Sequence, residues 1–498
     1  MLMTLVFNDY ETFNLSPLGG APSQYAAIKT DINFNRISVE NFFCLPSGDV
    51  VPEYQACMVT KHTPESVKSE EKSYCEYEFV SKIHNYLTSD RNTIVVGYNS
   101  LRFDDEWSRH LFYRNLLPAY EWHYKNGNSR YDAILLMQAV YGLRPNIMKW
   151  HYVSTSDGSD ETRVSMKLEH LSAVNGIVHE NAHDALSDVD ALISLMKIVK
   201  DADSDFYDLA LSVRDKSYVL DLLLAEESKG GLIYISQYER EHNFVGYIIP
   251  LFQSVEDKNI FWAWDAKVCP EKVLSLPEDV KCRLLSLKKD ELESLGIDKK
   301  GLVKIKINAL PNLFPKSAYS KDLAGENGLS EIRETIRVNL LKLRELAPQL
   351  KELVSLIEAN PKEYDDYSDY DMRLYIDGFM TPVENAFIKK FHSKPTWGER
   401  YDLVSSEAPT ERTKALAMRV IGRNSPEILN EVDSKLWAAY VSQRMLGKTG
   451  NSPMFGDEKL SANNQILAVE SILGNTNLSE CNVRVLTEVK DYYHGFLK

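Results

Sequence analysis

Three short stretches carry residues whose types and spacing could do chemistry. The first is Asp9-Tyr-Glu11, directly after the apolar run Leu5-Val-Phe7. A strand sends successive side chains to opposite faces, so Asp9 and Glu11 would point to one side. Two carboxylates so placed repel each other unless a cation sits between them. Their hard oxygens suit Mg²⁺ or Mn²⁺. Taken alone, the pattern is more commonly that of a solvated strand end. The second stretch, Gly97-Tyr-Asn-Ser-Leu-Arg-Phe-Asp104-Asp105, puts an acid where a buried strand gives way to a helix. The helix dipole alone would favour Asp104 there. The third is Asn181-Ala-His183-Asp184-Ala-Leu-Ser-Asp188. Asp184 suits the N-cap, which leaves His183 just before a helix and Asp188 about one turn inside it. A base and a metal ligand could then face one cleft.

These residues need elements to position them. Leu5–Phe7, Tyr25–Thr30, Arg36–Cys44 and Thr93–Tyr98 read as strands, the last apolar and β-branched. Residues 65–87 have helical composition, as do 104–116, 132–142, 167–174 and 184–200. Strands interleaved with packed helices predict a layered α/β domain. After helical residues 201–230 the texture changes. Short strands near 230–236, 244–250, 260–264 and 303–307 predict a small β-rich domain. A long helix is expected from Ser330 to Ala347, ended or kinked by Pro348. The acidic stretch Asn360–Asp371 reads as a linker, and the rest to Lys498 as helical.

Composition bounds the class. With 498 residues, 44% hydrophobic and 26% charged, the chain reads as an ordinary globular protein of about three domains. No apolar run approaches the ~18 residues of a membrane helix. The N-terminus has no basic residue ahead of its short apolar stretch and so does not read as a signal peptide. Six scattered cysteines without a CxxC pair argue against zinc sites or a disulfide framework, and for a reducing cytoplasm. The net charge of −15 argues against nucleic acid globally. It leaves room for a local basic groove.

Together the three stretches are far more specific than any one. A D-x-E on the first strand, an F-D after a central strand and an H-x4-D opening a late helix resemble the DnaQ-like (DEDD) 3′→5′ exonuclease superfamily, histidine subtype. Further strings narrow the resemblance to the bacterial exodeoxyribonuclease I family. They include Gln24-Tyr-Ala-Ala-Ile-Lys-Thr-Asp31, Arg102-Phe-Asp-Asp-Glu106, Phe112-Tyr-Arg-Asn115, Leu168-Glu-His-Leu171 and Asn181-Ala-His-Asp-Ala185. The likeness is dense over residues 1–200 and thin from 201 to 300.

The resemblance implies an α/β fold in three parts. A ribonuclease-H-like (DnaQ-like) exonuclease domain would span 1–201, an SH3-like β-rich domain with flanking helices 202–358, and an α-helical C-terminal domain 359–498. It implies that Asp9, Glu11, Asp104 and Asp188 hold two Mg²⁺ ions, for which Mn²⁺ can substitute, and that His183 is the general base. It implies a monomer in the bacterial cytoplasm, associated with the nucleoid and not with membrane. The substrate would be single-stranded DNA, degraded from its 3′ end to 5′-mononucleotides in repair and recombination.

Substrate contacts implied the same way are Thr12, Phe13, Val59, Thr60, Arg109, Tyr120, Lys167, Lys216, Lys304 and Asn308. At Lys167 the family carries an arginine; lysine keeps the positive charge but cannot grip a phosphate with two parallel N–H bonds. Period two in Val303–Asn308 puts Lys304, Lys306 and Asn308 on one face. Arg333, Arg337 and Arg344 fall within about 40° of one another on a helix. Such a stripe suits phosphates or an acidic peptide. Family members bind the acidic C-terminal tail of single-stranded-DNA-binding protein, and Arg144 matches a residue of that pocket. The alternatives are a DEDD-type exoribonuclease, a catalytically silent single-stranded-DNA-binding scaffold and a proofreading subunit. The 2′-OH would separate RNA from DNA activity, and no motif reports on it.

Overall fold

The fold is described from a computed structural model. It describes residues 3–154, 162–179, 184–319, 329–361, 367, 369–446, 461–474 and 478–496. By compactness the chain divides into two units. One comprises Met1–Arg130, Val178–Ile193 and Asp365–Lys498; the other comprises Tyr131–Ile177 and Ser194–Tyr364.

The first unit is built on a mixed sheet. Its strands are β1 (Thr4–Thr12), β2 (Pro22–Asp31), β3 (Arg36–Cys44), β4 (Ser73–Tyr74), β5 (Thr93–Gly97) and β6 (Ser129–Asp132), in the order β4-β3-β2-β1-β5-β6. β1 runs antiparallel to β2, with Glu11 opposite Gln24, and parallel to β5, with Val6 opposite Val95. This is the α/β architecture expected of a ribonuclease-H-like domain, and every residue of β5 is buried. One face packs Val6, Tyr10, Tyr25 and Phe42 against Phe79 and Ile83 of the Glu76–Thr88 helix and Leu111 and Phe112 of the Asp104–Arg114 helix. The same core takes in Phe387, Phe391, Leu416 and Val420 from helices near the C-terminus. Burying each such side chain contributes about 1.5–3 kcal/mol.

Two sequence expectations are corrected in this unit. Residues 65–87, helical in composition, are not helical throughout, since a Pro64–Lys68 turn of helix and β4 precede Glu76–Thr88. Asn360–Asp371 is not a solvated linker at its described end. Asp369 and Asp371 are buried, and Arg419 pairs with both while Arg423 pairs with Asp371. Their partners lie some fifty residues further along, so local composition gave no sign of them.

The second unit holds a five-stranded antiparallel sheet. Beside the short hairpin of β7 (Tyr152–Ser154) and β8 (Thr162–Val164), the strands β9 (Leu232–Ile235), β10 (Val245–Gln253), β11 (Ile260–Asp265), β12 (Leu302–Lys306) and β13 (Leu313–Phe314) pair in the order β12-β11-β10-β9-β13. Trp262 and Trp264 anchor a core with Leu350, Leu353 and Ile357. Pro348 opens a new helix, Ala347–Ala359, directly after Leu329–Glu345, as the missing proline N–H allows. No described helix is long and apolar enough to cross a membrane, and all six cysteines are free.

Candidate active site

The site is assembled from one strand and the starts of two helices. Asp9 and Glu11 stand near the end of β1, on one side of the sheet, as the period of two requires. β5 ends at Gly97, where a Cβ would lie 2.6 Å from Ser100 Cβ, so glycine permits the tight turn that follows. That turn is closed by Asp105 N–H donating to Ser100 O at 2.9 Å, and it delivers Asp104 as the first residue of its helix. Asp104 is 2% exposed, and its Oδ1 accepts the backbone N–H of Tyr10 at 3.1 Å. The peptide between the two β1 acids therefore aims the third.

The fourth acid arrives with the helix Ala185–Ala202. Asp184 caps it through Oδ1, which accepts Ser187 N–H at 3.1 Å, as its residue type predicts. Asp188 follows one turn later. Asp9, Glu11 and Asp188 each offer a carboxylate oxygen, and these atoms lie within 4.8 Å of one another. Among the described residues this is the one such group of acids, histidines and cysteines.

The electrostatics match this crowding. Burial first, then the charges of Asp104, Glu11 and Asp188, hold Asp9 well above the ordinary carboxylate range. Burial, then Asp188 and Asp104, push Glu11 up to about 9. Asp104 thus acts on both β1 acids. Carboxyls this reluctant to ionise together form a hard-oxygen donor set that fits a divalent cation.

The pH effect has a definite sign. A carboxyl with a raised native value keeps its proton where the unfolded chain, near ~4.3, has lost it, so stability falls as pH climbs from there towards ~9. A bound cation replaces the protons. We therefore expect the rise in melting temperature caused by Mg²⁺ over EDTA to grow as pH is stepped from about 6 to about 9. Thermal melts checked at each pH would show a flat difference if Glu11 lay outside the metal site.

His183 lies outside the described residues. The imidazole found beside Asp188 is that of His179, whose Nε2 hydrogen-bonds Asp188 Oδ1. Sequence reasoning missed it, because no spacing rule links a residue before the helix to one a turn inside it.

The remaining residues are scattered. Thr12 donates its hydroxyl to Asn14 O at 2.7 Å, and Phe13 is fully buried in a core with Val51 and Cys57. The Phe13 ring is thus part of that core. Val59 is exposed and Thr60 donates to Ala56 O. Arg109 bonds Glu106 at 2.7 Å and lies 5.7 Å from the Tyr120 ring. Tyr120 lines a pocket of about 470 Å³ with Tyr124, Tyr375 and the exposed ring of Phe379.

In the second unit, Lys167 pairs with Glu169 and Lys216 bonds Asn259. Lys304, Lys306 and Asn308 all face outward, as alternation predicts. Arg333 and Arg337 line a pocket of about 390 Å³ with Lys316, Tyr247, Ile336 and Leu340. Arg344 is exposed and is not among that pocket's lining. Arg144 is engaged internally by Asp203, Leu143 O and Ala318 O, over the Phe206 ring.

Comparison with known proteins gives the same reading. Residues 6–196 match the exonuclease family model and residues 368–495 the exonuclease I C-terminal domain model. Exodeoxyribonuclease I of Escherichia coli is 31% identical over 444 residues, covering 88% of this chain and 89% of the relative. The crystal structure of E. coli exonuclease I in complex with a dA16 oligonucleotide superposes with a TM-score of 0.87 at 28% identity, over 99% of this chain and 100% of that one. An ExoI/SSB-Ct complex gives 0.84 at 26%, over the whole of both chains. An exonuclease domain implies dependence on divalent metal, and the acid cluster has the oxygen donors such an ion takes. From its sequence, its fold and its clustered carboxylates, the chain belongs to the exodeoxyribonuclease I family and is a DNA exonuclease, a phosphodiester hydrolase.

Proposed function

We propose that Asp9, Glu11, Asp104 and Asp188 form the catalytic centre of an Mg²⁺-dependent 3′→5′ exonuclease that releases 5′-mononucleotides from single-stranded DNA. The observation that carries this is the approach of the Asp9, Glu11 and Asp188 oxygens to within 4.8 Å, with Asp104 aimed by the β1 backbone beside them. Paired divalent ions there would stabilise charge on the attacking and leaving oxygens of an in-line displacement. The protein's part is to hold four carboxyl groups in one place as ligands for those ions and to move protons. To His183 we assign removal of a proton from the attacking water, a step within reach of an imidazole at neutral pH.

The same reading gives the strand its path. Arg109 offers a cation beside a pocket walled by Tyr120, Tyr124, Tyr375 and Phe379, a surface on which bases stack without regard to sequence. Thr12, Val59, Thr60, Lys167, Lys216, Lys304 and Asn308 complete the proposed contacts, with Lys304 and Asn308 on the outward face that includes Lys306. The pocket of Arg333, Arg337 and Lys316 has cations around an apolar floor, which fits an acidic peptide ending in apolar residues. We assign the acidic tail of single-stranded-DNA-binding protein to it, with Arg144 and Arg344 outside its lining. The functional division at 1–201, 202–358 and 359–498, a monomeric state, and a role in repair in the bacterial cytoplasm at the nucleoid belong to the same proposal.

A 3′-labelled DNA strand and its RNA counterpart, each digested with Mg²⁺ and with EDTA, test the reading. Labelled mononucleotide is expected from DNA with Mg²⁺ alone. Release from RNA at an equal rate would favour an exoribonuclease, and binding without release would leave a silent scaffold.

A further inference from the structure

Glu11 stands directly opposite Gln24 in the β1–β2 register, so the two side chains share a face. Gln24 is fully buried. Its side-chain amide faces the start of the helix that brings Asp188. Oε1 accepts the N–H of Ala185, the first helical residue, at 3.2 Å. Nε2 donates to Asp184 Oδ2 at 3.1 Å and to Asn41 Oδ1 on β3 at 3.0 Å. Asp184 itself caps the helix through its other oxygen. One amide thus holds both the cap residue and the first peptide of the helix, from the position across the ladder from a cluster acid.

We propose that Gln24 is a positioning residue for the metal site. It fixes the start of the Ala185–Ala202 helix against β2, and so sets where Asp188 meets Asp9 and Glu11. This rests on the reading of those acids as ligands. The first N–H groups of a helix have no partner within the helix, so whatever accepts them chooses where the helix begins. A hydrophobic side chain at position 24 could fill the volume, but it would hold neither group. Asp188 is one turn from the held residues, and a small slide of that turn changes the oxygen–oxygen separations on which cation binding depends. Asn41, on β3, accepts from the same Nε2 that donates to Asp184, so it serves as a control for packing around the amide.

The full-length protein is tested as wild type, Gln24→Met, Asn41→Ala and Asp188→Ala. Mn²⁺ binding is measured by calorimetry without DNA, and kcat and KM are measured on a single-stranded oligonucleotide. Gln24→Met is expected to weaken Mn²⁺ binding at least fivefold and lower kcat at least tenfold, with KM within about twofold of wild type. Asn41→Ala should leave Mn²⁺ affinity unchanged. Should Gln24→Met fail to fold, Gln24→Asn keeps an amide that is one methylene too short for both contacts, and the same losses are expected of it. A folded Gln24 variant that binds Mn²⁺ and turns over like wild type, while Asp188→Ala binds none, overturns the inference about Gln24 alone. A wild type that binds no Mn²⁺ overturns the metal-site reading beneath it.

Discussion

Asp188→Ala is expected to lower turnover on single-stranded DNA by about 10³-fold or more, a loss of at least ~4 kcal/mol of transition-state stabilisation. The stability of the metal-free fold should be unchanged or slightly higher. Asp188 sits on the first turn of a helix and contributes an oxygen to the triad with Asp9 and Glu11. It also raises the proton affinity of both neighbours. On the proposed reading, removing it deletes a ligand and relieves repulsion at once, so activity and apo stability should move in opposite directions. His183→Ala should differ. It is expected to keep Mg²⁺ and DNA binding and lose about 10²–10⁴-fold in turnover, the usual worth of general base catalysis. Turnover and filter-binding assays on the two variants would separate ligand from base. Unchanged turnover in Asp188→Ala would remove the basis of the nuclease centre.

The second large effect is structural. Asp371→Ala should destabilise the first unit by about 3–5 kcal/mol, as breaking a buried ion pair does. Asp49 and Asp371 are inaccessible and share Arg423, with Arg444 on Asp49 at 3.1 Å and Arg419 on Asp371 at 3.1 Å. Burial works against ionisation of Asp371, but Arg423, Arg419 and Arg444 outweigh it and hold the carboxyl well below its usual range. Burial likewise opposes ionisation of Asp49, and Arg423 and Arg444 overcome it. Deleting one acid leaves guanidinium groups facing each other in the interior. Because the native values are depressed, the acids' contribution is fully present above the unfolded value near ~3.9 and is lost as pH falls below it. The gap between wild type and Asp371→Ala in urea midpoint should therefore narrow below about pH 4. A constant gap down to acid pH would mean that packing, not charge, sets the cost.

How far the sequence could be read depends on the range of the interactions. The β1 pair, the cap at Asp184, the outward face of Lys304 and Lys306, and the helix break near Pro348 are all governed by neighbours within a turn or two. Their periods and caps were legible. The meeting of β1 with two helix starts was not legible from spacing. It was reached only because the three stretches together resemble a known family. Reading failed where partners are distant in sequence. Asp369 and Asp371 look like solvated linker residues until Arg419 and Arg423 are brought to them. Phe13 follows a candidate ligand yet turns into the core. Arg144 has the type of a docking cation, and its bonds to Asp203 and Ala318 O, far along the chain, were not legible.

The bond from Tyr10 N–H to Asp104 has a consequence for how the enzyme can drift over generations. The donor is a main-chain amide, present whatever amino acid occupies that position except proline. Exchange of the aromatic ring would disturb its own packing and its hydroxyl contact with Ser108, yet the hold on the third acid would survive. The geometry of that acid is therefore inherited from the ladder of β1 and not from any one codon.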